Sequence, residues 1–139
     1  MDGFTIHELK IGDFSEQTNV LLMENAQHYA TITGDNNPIH FDTEFARNSR
    51  FRQPIAHGMI LAGFISGVLG TKLPGYGCLY EEQRISFLKP VFYGDTILTR
   101  VTVTKLNFET NRVTLLTECF NQNNETVLSG TAIMLPRKV

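Results

Sequence analysis

Tryptophan is absent from the 139 residues, cysteine occurs twice and proline five times. Cys78 and Cys119 lie far apart, in no Cys-x-x-Cys pair. This excludes a disulfide framework and a thiolate zinc site, and it predicts two buried free thiols. There is no excess of positive charge, since the net charge is −2. A nucleic-acid binder normally carries a basic stripe, so nucleic acid is excluded as the main partner. No apolar run approaches the ~20 residues of a membrane span. Met1-Asp2-Gly3-Phe4 offers neither a basic start nor an apolar stretch of the kind that opens a secretory leader. Together these features point to a reducing, cytoplasmic setting away from membranes. Repeats, low-complexity tracts and linkers are missing too. The length suits a single domain over 1–139, and 42% hydrophobic residues suffice for a core without staples.

The chain that is present changes character near Gly77. Before it, helical patterns alternate with irregular stretches. Short strands are expected at 5–9 and 15–22. In 24–34, Ala26, Tyr29, Ala30 and Thr33 recur at helical spacing on one face, and Gly34 is a natural stop. Asn36-Asn37-Pro38 then breaks the helix, because the residue before proline is pushed out of the α region. Asp42 is a candidate cap for a short helix over 43–48. The run 59–70 is apolar on nearly every side, so it reads as a helix buried all round, with Ala62, Gly63 and Gly67 admitting a sheet close to its backbone. After Gly77 come four strand-like runs, 78–89, 95–107, 112–121 and 126–135. Ile97, Val101 and Val103 alternate with Arg100, Thr102 and Thr104. Short turns between successive strands predict an antiparallel sheet. A buried central helix wrapped by a long antiparallel sheet is an α+β architecture of the hot-dog type.

Candidate chemistry concentrates in three places. Asp35 and His40 share a loop bent at Pro38, and a carboxylate and an imidazole flanking one water can take a proton and return it. The same residues also suit a turn former and a structural histidine. Gly58 opens the apolar helix, where unpaired backbone N–H groups carry positive potential and can polarise a carbonyl oxygen. A glycine serving only a tight turn is the other reading. Ser66 sits in mid-helix, either bonded back to its own helix or lining a ligand tunnel. Gly75-Tyr76-Gly77 reads as a connector. Asp35, His40 and His57 can be drawn around a metal, but no His-x-x-x-His or Cys pair supports that, and no metal is expected. Arg47, Arg50 and Arg52 form a basic cluster, either solvated surface or a seat for phosphate.

Read as one stretch, residues 29–42, with Gly34-Asp35-Asn36-Asn37-Pro38-Ile39-His40 at their centre, resemble the hydratase motif of the MaoC-like, (R)-specific enoyl-CoA hydratases. The similarity continues through Pro54-Ile55-Ala56-His57-Gly58-Met59, Leu73-Pro74-Gly75 and the stretch 86–95. The resemblance implies a hot-dog homodimer, with two six-stranded halves continuing one sheet and an acyl-CoA tunnel near their interface. It implies reversible hydration of a trans-2-enoyl-CoA to the (R)-3-hydroxyacyl thioester. Asp35 and His40 match the catalytic pair and Gly58 the oxyanion glycine. Asn37 matches the asparagine that holds the loop, and Ser66 the helix serine, both placed towards substrate. CoA belongs to the substrate and no cofactor is implied. The acyl tail is expected along Phe64, Ile65 and Ser66. The charged Gln83-Arg84 departs from the pattern at a strand edge. Three alternatives remain. A (3R)-hydroxyacyl-carrier-protein dehydratase uses the same carbons. A hot-dog thioesterase needs a carboxylate in the helix, and 59–70 has none. A non-catalytic acyl-CoA-binding module has no use for a charged pair.

Overall fold

A computed structural model describes residues 2–139. Five strands form one antiparallel sheet: β1 (Phe14–Val20), β2 (Leu79–Phe87), β3 (Thr96–Asn107), β4 (Arg112–Phe120) and β5 (Thr126–Leu135). Their order is β1-β3-β4-β5-β2, so β1 and β2 are the edges. The resemblance implied six strands. Here the additional pairing is one isolated bridge, Ile55 to Phe92. Alternation works as the composition dictates. Ile97, Thr99, Val101 and Val103 of β3 and Val113, Leu115, Thr117 and Cys119 of β4 turn inward, and the residues that alternate with them face the other side.

Of three α-helices, α1 (Met23–Thr33), α2 (Glu44–Arg47) and α3 (Gly58–Thr71), α3 packs on the sheet, α1 against α3, and α2 against the turn Pro38–His40. Ile60, Leu61, Ile65, Val68 and Leu69 of α3 sit in one apolar cluster with the inward strand residues. The expectation of a helix buried all round needs correction. Met59 is 51% exposed, and Gly63 and Ser66 are exposed as well. A side chain added at Gly63, Gly67 or Gly70 would meet open space. The small residues therefore form an outer stripe and do not admit the sheet, which α3 meets through its branched residues. No helix among the described residues is long and apolar enough to cross a membrane.

Two local expectations also change. Residues 5–9 hold no strand. Ile6–Glu8 form a 3-10 turn, because the Glu8 carboxylate accepts from Thr5 N–H at 2.7 Å and closes a capping box. The cap of α2 is Thr43, whose hydroxyl accepts from Ala46 N–H at 3.1 Å, while Asp42 pairs with Arg47 at 2.6 Å. Both cysteines are free. Cys119 is buried, and burial pushes its thiol up to about 11. Cys78 is only half-buried.

Candidate active site

Gly34 ends α1 in the left-handed region (φ 78°), which glycine adopts without strain, and its N–H donates to Ala30 at 2.8 Å. That turn throws Asp35 out of the helix. The Thr33 hydroxyl accepts from Asp35 N–H at 3.1 Å, and one Asp35 carboxylate oxygen accepts from Asn37 N–H at 3.2 Å. The Asn37 side chain accepts from Ile39 N–H at 3.2 Å and so caps the turn Pro38–His40. Asn37 is thus occupied within its own loop and lies outside the cavity lining described below.

The far side of the loop is held by residues remote in sequence. Ile55 N–H donates to Ile39 O at 3.0 Å, and Tyr93 Oη donates to His40 O at 2.6 Å. His40 Nδ1 lies 2.9 Å from Ile55 O. A carbonyl only accepts, so Nδ1 carries the proton and Nε2 keeps its lone pair. Burial lowers the His40 pKa below its ordinary 6.5, partly opposed by the Ile55 hydrogen bond. The ring is therefore held neutral.

His57, the residue before α3, is 2% exposed. Its ring stacks on His40 with centroids 3.8 Å apart, and Tyr29 packs on it at 4.6 Å. Its Nε2 lies 3.0 Å from the backbone oxygen of Asp35 and 3.9 Å from the carboxylate. A carboxylate oxygen of Asp35 and one ring nitrogen from each histidine all lie within 4.8 Å of one another. These three are the side chains a metal would use. Yet each imidazole already spends one nitrogen on a backbone carbonyl, and the other nitrogen of His57 is sealed from solvent.

A cavity of about 380 Å³ opens beside this group, lined by His40, Arg50, Phe51, Gly58, Phe87 and Lys89 among others. Gly58 is the first residue of α3, where N–H groups lack intrahelical partners. A Cβ at Gly58 would come within 2.8 Å of the Phe87 ring. Of the three arginines, Arg50 reaches the cavity, with its guanidinium 4.7 Å over the Phe51 ring. The structure thus sets Asp35 beside His40 and His57 and puts His40 and Gly58 on one cavity wall, while Asp35 and Ser66 lie outside the lining, Ser66 on the exposed stripe. Of the route expected along Phe64, Ile65 and Ser66, Ile65 is fully buried in the core and Ser66 faces outward, and the cavity of the single chain meets α3 at its first turn. Sequence reasoning missed Phe87 and Tyr93 as parts of the site, because no short-range spacing links them to 35–58.

The family described as the MaoC like domain matches residues 12–121. A curated (R)-specific enoyl-CoA hydratase from Aeromonas caviae is 42% identical over 106 residues, covering 76% of this chain and 79% of that protein. Another from Rhodospirillum rubrum is 36% identical over 99% of this chain and 97% of its own length. The solved unliganded R-hydratase from Pseudomonas aeruginosa superposes with a TM-score of 0.93 at 33% identity, covering 99% of this chain and 88% of the other.

Proposed function

The chain belongs to the MaoC-like domain family, and from that premise we propose that it is an (R)-specific enoyl-CoA hydratase acting through Asp35, His40 and Gly58. The observation that carries the reading is the neutral His40, with Nε2 unprotonated, at the wall of a largely apolar cavity shared with the first turn of α3.

Water sits between the Asp35 carboxylate and His40 Nε2. As its oxygen bonds to C3 of the trans-2-enoyl thioester, His40 takes one water proton. The alkene electron pair moves onto the thioester oxygen, which Gly58 N–H and the positive end of α3 stabilise. The imidazolium then returns the proton to C2, and water has been added across the double bond. Asp35 orients the water and offsets the transient positive charge on His40. Asn37 acts indirectly, by fixing the turn between the two. The reaction runs in either direction and asks for no cofactor. CoA phosphates are polyanionic, and Arg50 at the cavity suits them.

The working unit is a homodimer of one-domain protomers spanning 1–139. Edge strand β2 offers unpaired backbone groups, and the outer stripe of α3 lets a second helix approach closely. Ser66 contacts substrate only across such an interface. Free thiols suit a cytoplasmic setting.

The test is loss of the enoyl-thioester absorbance with crotonyl-CoA, followed by chiral chromatography. The (R)-3-hydroxyacyl product is expected, and Asp35→Asn and His40→Gln each lower turnover by roughly two to four orders of magnitude. An (S) product, or near-normal turnover in either variant, overturns the assignment. Crotonyl-carrier-protein run in parallel distinguishes the dehydratase alternative, which predicts faster turnover of that carrier.

A further inference from the structure

The pair Asp35 and His40 has no direct hydrogen bond holding one side chain to the other. What joins them is His57. Its ring lies parallel, within 29°, under the His40 ring at 3.8 Å, and its Nε2 faces the Asp35 carbonyl at 3.0 Å. That carbonyl only accepts, so Nε2 holds the proton. Nδ1 of His57 is buried and has no hydrogen-bond partner in the chain. A fold that wanted only volume here would place a phenylalanine or leucine and leave no polar atom unpaired. Tyr29 and Phe41 already surround the ring with aromatic edges and faces, at 4.6 and 6.0 Å. A nitrogen is nonetheless retained, and the one with a partner points at the catalytic loop.

We propose that His57 is a positioning residue, whose buried neutral imidazole clamps Asp35 through its backbone and His40 through its ring face and so sets the gap that one water must fill. The proposal rests on the reading of Asp35 and His40 as the catalytic pair. His57 reaches neither the water nor the substrate. Its Nε2 faces the Asp35 carbonyl and its ring faces His40. The clamp therefore works in one tautomer, Nε2–H.

Two variants separate its contributions. His57→Phe keeps the stacked ring and removes the donor. His57→Gln removes the ring and keeps an N–H where Nε2 was. With crotonyl-CoA, His57→Phe is expected to lose about a hundredfold in kcat at little change in KM, because a misplaced group slows chemistry more than binding; His57→Gln should recover about tenfold of it. Thermal unfolding of both variants reports whether the fold survives. In the intact enzyme, nitrogen-resolved imidazole NMR should show the ring proton of His57 on Nε2 and none on Nδ1. A folded His57→Phe with normal kcat overturns the proposal. So does a spectrum that puts the ring proton on Nδ1, which decides the matter even if His57→Phe fails to fold. Zinc inhibition of the wild type that disappears in His57→Gln also overturns it, by making His57 a ligand. Asp35→Asn distinguishes the two levels. If Asp35→Asn is inactive while His57→Phe is normal, the catalytic pair stands and the clamp falls. If Asp35→Asn is active, the pair itself is wrong.

Discussion

His40 must be neutral to accept a proton, and its surroundings keep it so. Burial depresses its pKa from 6.5, partly opposed by the hydrogen bond to Ile55. Activity should therefore persist below the usual histidine range and fall only as pH drops through the lowered value. A pH profile of crotonyl-CoA hydration checks this, and an acid limb at or above 6.5 contradicts it. Stability carries the same sign. Above 6.5 the ring is neutral in both folded and unfolded chains, and the contribution is complete. As pH falls towards the lowered folded value, the unfolded chain binds the proton first and stability is lost. His40→Gln should flatten that part of the stability curve. Gly58 makes a second prediction at this scale. A methyl group there meets the Phe87 ring at 2.8 Å. Gly58→Ala should cost about 10²-fold or more in kcat if the N–H has to meet a developing oxyanion. Adding Phe87→Ala relieves the clash. If the double variant regains full activity, the loss in Gly58→Ala comes from the crowded ring, since alanine keeps the backbone N–H; if it does not, the added methyl itself blocks the approach to that N–H.

Among the elements, the β2–β5 pairing has the tightest fit. Gly130 lies opposite Ile85, and a Cβ at Gly130 would stand 1.9 Å from the Arg84 carbonyl oxygen. Gly130→Ala should destabilise the fold by at least about 1–3 kcal/mol, the usual cost of overpacking, as read from chemical denaturation. The four C-terminal strands were readable in the sequence because Val, Thr and Ile alternate between turn residues, and their observed bounds differ by a residue or two. Helix 59–70 was readable as a helix but not in its orientation. With almost every residue apolar or small, periodicity marks no outward face, and Ser66 could not be assigned a side. The capping box at Thr5 was misread because a β-branched threonine also suits a strand, and the cap at Thr43 because Asp42 beside it is an equally good capping residue. At the site, the loop from Gly34 to His40 was readable because its chemistry is local. Tyr93 lies 53 residues beyond His40, and only the sheet brings them together.

For the whole molecule, the outer stripe of α3 and the free edge of β2 bear on assembly. Leu79 is 66% exposed and Phe87 52%, on the same edge strand. The proposed homodimer would cover them. Ser66→Arg places a long cation in the stripe, so sedimentation velocity should show a protomer-sized species in place of the dimer. An unchanged dimer would move the interface elsewhere. The order of synthesis has a consequence of its own. β1 pairs with β3, Gln17 facing Thr99, and the loop bearing Asp35 and His40 waits for Tyr93. At ~5–20 residues per second, a ribosome completes β1 roughly 4 to 16 seconds before the strand that receives it. During that interval the apolar face of α3 is also made and uncovered. The loop bearing Asp35 and His40 thus emerges long before the residue that ties it down, and between the synthesis of α3 and of β3 the nascent chain carries its most apolar helix uncovered.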